Sequence, residues 1–338
     1  MNEPRFAVTR AQILSFRRRA GALEERLPAA SLRRAAWAGL QDSMPRAALL
    51  SIHARVQGTT PSTWEDPALV QLWGPRFNVF VVSECDRAVF SLGTLPDDAQ
   101  GQQRAEDLAA RLRASLGDRR IPYGEAGHVL GVHPNRLRYA AATGTVLIRW
   151  EGARQPTIWT VPAPPMKARE ARLELARRYL HVYGPTTPEA FGEWAGIGLK
   201  SAARTFDALC TSLTPVRTPI GDRWILHEDK EALRSPLEPS TSLRLLPSGD
   251  PYLLLQGADR DLMIPQSDRR GALWTPRVWP GGLLLGGEIV GTWRRAGAVV
   301  TVQPWRQLSG SERAAVESEV DSLPLPGVEG RPGVRWEG

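Results

Sequence analysis

Three adjacent polar residues, Gln41, Asp42 and Ser43, are candidates for chemistry because each carries an oxygen that can hold a water molecule. The amide oxygen of Gln41 can accept a hydrogen bond from water. The carboxylate of Asp42 can act as a base or stabilise a nearby cation. The hydroxyl of Ser43 can orient a water molecule but is a weak base without charge. Together, these residue types can position water beside a centre that becomes positively charged during a reaction.

Each of the three residues also has a structural interpretation. Side chains alternate along an extended segment, so Gln41 and Ser43 would face one side while Asp42 faces the other. Asp42 could cap the helix expected near Pro45. Ser43 could do the same, because proline favours the first helical turn. Gln41 could be a buried amide that hydrogen-bonds to loop backbone. The sequence leaves both interpretations open.

The charge balance favours a polyanionic partner. Of 338 residues, 43 are Lys or Arg and 36 are Asp or Glu, which gives a formal net charge of +7. Lys167, Lys200 and Lys230 are the only lysines, so the other 40 of these cations are arginines. A planar guanidinium group can bind phosphate through two parallel hydrogen bonds, which suits contact with a nucleic acid. A genome rich in G and C would produce the same arginine bias.

The sequence argues against several other classes of protein. The two cysteines, Cys85 and Cys210, and the five histidines show no ligand spacing, so neither a disulfide framework nor a metal site is expected. No phosphate-binding glycine loop or nucleotide fingerprint occurs, and no cofactor is expected. No apolar run of about 18 residues and no apolar leader is present, which predicts a cytoplasmic protein without a membrane partner.

The expected elements follow an order that repeats along the chain. A capping box of Thr9 and Gln12 begins the first helix, and a buried strand covers 79–82. Three helices followed by a hairpin, the order of a winged helix, then occur twice. The first set has helices at 102–118, 124–130 and from 134, and strands at 146–148 and 157–159. The second set has helices at 168–183, 188–196 and 199–209, and a hairpin at 216–226.

The C-terminal part has the spacing of a small β-rich domain. Short strands are expected at 243–246, 252–255, 283–285, 288–293 and 299–302, before a helix capped by Ser309 and Glu312. The prediction is an α+β fold with three tandem winged-helix units followed by a β-rich, barrel-like domain. The expected boundaries are a divergent winged helix at 1–98, a second at 99–165, a third at 166–236, the β-rich domain at 241–323 and a frayed tail at 324–338.

Several segments together resemble one family of bacterial proteins. They are GLQDS at 39–43 with ARV at 54–56, VYGPTTPEAFGEWAGI at 182–197, LLPSGDPYLLLQGADRDLMIP at 245–265 and GGEIVGTWRRAGAVVTVQPWRQLSGSER at 286–313. The pattern is similar to the winged-helix superfamily that includes the AlkZ and YcaQ DNA glycosylases. Membership implies tandem winged helices with a concave basic face for double-stranded DNA. It also implies excision of alkylated or crosslinked bases by hydrolysis of the N-glycosidic bond.

The resemblance assigns the motif residues a role. The glycosylases carry Gln-x-Gln or Gln-x-Asp after a Gly-Leu pair. Here Gln41 matches the first glutamine, Asp42 takes the middle position and Ser43 replaces the second motif residue. A later Arg-Gly-Thr-Leu-His element matches 76–80, where Arg76 is kept and Phe80 replaces the histidine. The implied catalytic residues are therefore Gln41, Asp42 and Ser43, with two departures at the expected site.

Arginines are the expected DNA contacts, because phosphate contacts supply affinity without reading the base sequence. Arg55 matches an arginine of the family, and a structural salt bridge is the alternative there. Arg294 and Arg295 lie near a hairpin tip, which suits contact with the minor groove or the backbone. The predicted DNA-binding residues are Arg17, Arg18, Arg55, Arg76, Arg136, Arg138, Arg294 and Arg295.

Two functional hypotheses follow. The favoured one is a monofunctional DNA glycosylase that acts as a monomer on damaged double-stranded DNA, without metal or cofactor. In it, Gln41 positions a water molecule under the sugar C1′, and Asp42 or Ser43 assists. The alternative is a non-catalytic DNA-binding protein of the same fold that recognises damage or regulates transcription. Loss of the second motif residue makes this alternative worth testing.

Overall fold

Helices and three β-sheets together form the predicted α+β fold. The computed structural model describes residues 6–42, 44, 46–152, 155–235, 239–325, 327–328 and 330–337. The helices are α1 (Arg10–Ala20), α2 (Leu32–Ala35), α3 (Ala47–His53), α4 (Arg87–Leu92), α5 (Ala99–Leu116), α6 (Tyr123–Val129), α7 (Arg138–Ala141), α8 (Ala168–Tyr183), α9 (Pro188–Ala195), α10 (Leu199–Ala208), α11 (Lys230–Arg234), α12 (Ala258–Met263), α13 (Ser267–Leu273) and α14 (Gly310–Asp321).

The strands are short and connect segments that lie far apart in the sequence. They are β1 (Phe6–Ala7), β2 (Leu40–Gln41), β3 (Leu69–Trp73), β4 (Val79–Ser83), β5 (Ile121–Pro122), β6 (Val146–Arg149), β7 (Thr157–Thr160), β8 (Leu213–Thr218), β9 (Gly221–Leu226), β10 (Leu243–Leu246), β11 (Gly281–Leu285), β12 (Glu288–Ala296), β13 (Val299–Pro304) and β14 (Gly333–Trp336).

One six-stranded sheet carries the Gln41 motif. Its order is β2-β4-β3-β6-β7-β5, and Gln71 of β3 pairs with Ile148 of β6. Strands expected in two separate units at 1–98 and 99–165 thus share one sheet. The predicted order of helices α5, α6 and α7 followed by the β6–β7 hairpin is present, and so is α8, α9 and α10 followed by β8–β9. The N-terminal β1 pairs parallel with β8.

The structure of the C-terminal region differs from three expectations. Its strands run in the open order β10-β11-β12-β13-β14, so the described residues form no closed barrel. Residues 252–255 were expected to be a strand, but Pro251–Leu253 form a short 3-10 helix, which begins where the side chain of Asp250 accepts a hydrogen bond from the N–H of Tyr252. The tail is not frayed at 333–336, because β14 pairs parallel with β13.

Buried ion pairs join the N-terminal helices to the C-terminal half. Arg17 of α1 donates to Asp259 at 2.6 Å, and Arg223 contacts the other oxygen of the same carboxylate at 3.2 Å. Arg55, which follows α3, forms a bidentate pair with Asp250, with distances of 2.7 and 2.8 Å. All five charged groups are buried. Each cation therefore neutralises a charge that would be costly to bury alone.

These contacts correct three of the predicted DNA-binding residues. Arg17 and Arg55 are only 1% and 2% exposed. Arg18 is buried as well, and it donates to Glu24 at 2.6 Å and to the carbonyl oxygen of Gly287 at 2.8 Å. A guanidinium group enclosed by protein acceptors cannot reach a DNA phosphate. The salt-bridge interpretation of Arg55 is confirmed.

Replacing Arg55 should destabilise the protein strongly. Arg55→Ala leaves the carboxylate of Asp250 buried without its cation, and we expect the free energy of unfolding to fall by about 3–5 kcal/mol. Urea denaturation measures this change. Arg217→Ala is the matched control, because it removes an exposed pair with Asp222 and should cost less than about 1 kcal/mol. Equal losses in the two variants would contradict the expectation.

Candidate active site and nucleic-acid interface

The Gln41 motif lies at the edge of the six-stranded sheet. Gln41 of β2 is paired with Phe80 of β4, and the backbone N–H of Asp42 donates to the carbonyl oxygen of Val79 at 2.8 Å. Gly39 makes this approach possible. It has a φ of +71°, and a Cβ at this position would lie 2.9 Å from the ring of Phe80. The glycine that precedes the motif is therefore required for packing.

A loop from the C-terminal half covers Gln41. The glutamine is 8% exposed. Gly249 has a φ of +77°, and a Cβ at this glycine would lie 3.2 Å from Nε2 of Gln41. The next residue in the loop is Asp250, which binds Arg55. The ion pair that joins the two halves of the chain thus also holds this loop against the motif.

Asp42 connects two elements through its carboxylate. Its Oδ1 accepts a hydrogen bond from the N–H of Ala48 at 3.0 Å, in the first turn of α3. Its Oδ2 accepts from the side chain of Gln71 at 2.7 Å, and Gln71 in turn accepts from the N–H of Trp150 at 2.6 Å. Asp42 thus satisfies one backbone N–H in the first turn of α3, although the N-cap position of this helix is occupied by Arg46. Ser43, the third motif residue, lies outside the described residues.

The carboxyl group of Asp42 has an unusually high pKa. Burial raises the pKa of Asp42 to about 7, although the hydrogen bond from Ala48 and the charge of Arg46 act in the opposite direction. The side chain is fully buried. A carboxyl group of this kind titrates near neutral pH, where it can hold or release a proton beside the motif.

Two arginines stack on one indole ring next to the motif. The guanidinium groups of Arg46 and Arg149 lie 4.3 and 4.9 Å from the centre of the Trp64 ring. Arg149 also pairs with Glu65 at 2.7 Å. Burial and the nearby charge of Arg149 lower the pKa of Arg46. This cluster was missed because no local pattern links three residues that lie so far apart in the sequence.

The position of the family's histidine is part of the hydrophobic core. Phe80 is fully buried, and its ring lies 6.4 Å from the rings of both Phe90 and Trp194. No titratable group is therefore available at this position. Arg76, four residues earlier, is half-buried with a left-handed backbone, and its Nε has no hydrogen-bond partner among the described residues.

The other predicted DNA contacts lie at the surface. Arg136, Arg294 and Arg295 are exposed, and Arg138 is half-buried. Arg294 donates to the carbonyl oxygen of Val278 at 3.0 Å, which connects its hairpin to the preceding loop. No cluster of three or more possible metal ligands occurs in the described part of the chain. None of the helices described is long and apolar enough to cross a membrane.

Comparison with known proteins defines the class. The profile of the family described as DNA glycosylase AlkZ-like matches residues 35–324, and the chain belongs to this family. One relative is the interstrand DNA cross-link repair glycosylase of Streptomyces sahachiroi, which is 29% identical over 154 residues. That match covers 44% of this chain and 41% of the relative, so it spans less than half the relative's length.

A solved structure resembles the whole fold. The DNA glycosylase AlkZ of Streptomyces sahachiroi superposes with a TM-score of 0.78, over 98% of this chain and 100% of that one. The two sequences are 19% identical. At this identity the likeness establishes a shared fold, while the chemistry of each site depends on its own residues.

The acidity of Asp42 predicts a pH-dependent contribution to stability. Because its pKa is raised in the folded protein, the folded state binds more protons than the unfolded state between about pH 4 and pH 7. The stability of the wild type relative to Asp42→Asn should therefore decrease as the pH rises through this window, and level off above about pH 7. Urea denaturation of both proteins across the window measures the difference. A difference that stays constant or increases with pH across this window would show that the pKa of Asp42 is not raised in the folded protein.

Proposed function

We propose that this protein is a monofunctional DNA glycosylase that hydrolyses the N-glycosidic bond of alkylated bases or of bases in an interstrand crosslink. The observation that carries the proposal is the placement of Gln41, held at the sheet edge under the Gly249 loop. Family membership supports the class of reaction. The name of the curated relative favours crosslinked DNA as one substrate.

We assign to Gln41 the binding of the water molecule that attacks the sugar. Breaking a base–sugar bond builds positive charge on the sugar, and a water molecule must be held under C1′. The side-chain oxygen of Gln41 can accept a hydrogen bond from this water. Its backbone is fixed by β4, so little further ordering is needed when DNA binds. Ser43 remains our candidate to help orient the water.

Asp42 acts mainly as a positioning residue in this proposal. Both of its oxygens accept hydrogen bonds from the protein, one from α3 and one from β3. These contacts fix the direction in which the chain leaves Gln41. Because the group titrates near neutral pH, its charge can also favour the cationic transition state when it is ionised.

The DNA-binding face combines arginines from several elements. We assign phosphate contacts to Arg138 at the start of α7 and to Arg136 in the 3-10 turn before it. Arg294 and Arg295, near the tip of the β12–β13 hairpin, are assigned the same role. Arg76 contributes from the turn beside the motif. In this proposal α5–β7 and α8–β9 are winged-helix units, the N-terminal region is a divergent third unit, and the protein acts as a monomer.

Replacing Gln41 should separate catalysis from binding. Base release is measured from duplex DNA that carries 7-methylguanine or a nitrogen-mustard crosslink. We expect the wild type to release the base. The release rate of Gln41→Ala should be lower by about 100-fold or more, because a positioned group of this kind typically contributes two or more powers of ten. Affinity for the same duplex should change little, because phosphate contacts from arginines, and not the Gln41 amide, supply most of the affinity.

The rival function predicts a different pattern. A non-catalytic DNA-binding protein would release no base, and its affinity would be indifferent to Gln41→Ala and sensitive to Arg138→Ala. Absence of release by the wild type, together with tight and salt-sensitive binding, would favour this rival. Release that survives in Gln41→Ala would show that another residue positions the water.

Removal of a surface arginine should alter the salt dependence of binding. Arg136→Ala should weaken binding by a similar factor on DNA of any sequence. The plot of log association constant against log salt concentration should become shallower by about 1, because one phosphate contact is lost. Titrations at several salt concentrations measure this slope. Arg234→Ala, on α11, provides the control and should leave the slope unchanged. An unchanged slope for Arg136→Ala would remove this residue from the proposed face.

A further inference from the structure

The turn between β3 and β4 exposes an aromatic ring beside the motif. Phe77 is 40% exposed, whereas five of the other six phenylalanines are buried and Phe6 is half-buried. Its ring meets the ring of Tyr139, which is 38% exposed, at 5.1 Å and an angle of 79°. An exposed pair of aromatic rings has an energetic cost in water and often marks a binding surface.

The backbone of this turn is strained. Arg76 and Phe77 follow one another with φ values of +55° and +56°, a region that bulky side chains rarely adopt. The N–H of Phe77 donates to the carbonyl oxygen of Gly74 at 3.0 Å, and Asn78 closes the turn with two further backbone bonds. Strain that is retained in a closed, hydrogen-bonded turn is characteristic of functional positions.

The turn is held from two sides. The backbone of Arg76 lies against Gly196 at the end of α9, where a Cβ would lie 3.0 Å from Cα of Arg76. On the other side, the ring of Tyr139, from helix α7, contacts the ring of Phe77. The aromatic ring is thus presented on a rigid support and needs little ordering when it binds a ligand.

The location of the turn indicates the ligand. β4 begins two residues after Phe77, and the first residue of β4, Val79, accepts the hydrogen bond from the N–H of Asp42. Arg76 and Arg138 flank the two aromatic rings in the sequence, and each has a buried Nε with no hydrogen-bond partner among the described residues. Aromatic faces bordered by cations next to a DNA-processing motif suit nucleobases attached to a phosphate backbone.

We propose that Phe77, supported by Tyr139, stacks on nucleobases that are unstacked at the damaged position of the duplex. This proposal rests on the proposed glycosylase function and adds a residue that recognises the opened site. The ring contributes where a base face is accessible and contributes little on an intact duplex, in which the base faces are covered by their neighbours. Phe77 is therefore a specificity-determining residue rather than a catalytic one.

The test compares affinities for two labelled duplexes of the same sequence, measured by fluorescence anisotropy. One duplex is intact, and the other carries a single tetrahydrofuran residue, which lacks a base. We expect the wild type to prefer the tetrahydrofuran duplex. Phe77→Ala should lose about tenfold in affinity for it, the typical value of one base–aromatic stack. The affinity of this variant for the intact duplex should remain unchanged.

Matched variants separate stacking from other effects. Phe77→Tyr keeps an aromatic face and should retain the preference. Phe77→Gly relieves the positive φ and should lose the preference without a lower thermal midpoint, which excludes misfolding as the cause. Met166→Ala removes an exposed apolar side chain from the loop before α8 and should behave as the wild type. Arg138→Ala should weaken binding to both duplexes equally.

The outcomes distinguish this inference from the proposed function. Retention of the preference by Phe77→Ala, or an equal loss on both duplexes, would overturn the stacking role, as would a wild type without any preference. Base release is measured separately, so a protein that stacks but releases no base would contradict only the glycosylase proposal. A protein that binds neither duplex would contradict both.

Discussion

The buried ion pair of Arg55 and Asp250 is the interaction on which the candidate site depends. Two desolvated charges are tolerated only when each meets its partner in good geometry. This requirement fixes the end of α3 relative to the loop that contains Gly249. The same loop covers Gln41. Electrostatics, rather than proximity in the chain, therefore holds the N-terminal motif and its C-terminal cover together.

Local signals in the sequence were sufficient for many of the elements. Thr9 and Ser309 begin helices through the capping boxes that the sequence indicated, and α8 has its predicted bounds. The errors concern contacts between distant segments. Residues 252–255 are apolar like a strand, but the side chain of Asp250, fixed by Arg55, accepts from the N–H of Tyr252 and starts a 3-10 helix instead. No local pattern contains this information.

The predicted site residues also fall into two groups: those whose place local sequence signals indicate, and those whose surroundings come from distant segments. Gln41 could be identified because its motif is contiguous, and the capping role of Asp42 follows from its position before a helix. The burial of Arg17 and Arg18 could not be predicted, since Asp259, which pairs with Arg17, and Gly287, whose carbonyl oxygen accepts from Arg18, lie 242 and 269 residues away. A run of arginines on a helix has the same sequence pattern whether it faces solvent or acceptors from another part of the chain. A charge cluster alone therefore does not distinguish arginines that face solvent from arginines that are buried.

The parallel pairing of β14 with β13 has a consequence for folding during synthesis. Strand β13 ends at Pro304, whereas β14 begins at Gly333, after α14 has been made. Until that late segment leaves the ribosome, one side of β13 presents unpaired backbone N–H and C=O groups. Such an edge can pair with the same strand of another nascent chain. The C-terminal sheet is thus protected from intermolecular association by the last strand to be synthesised among those described.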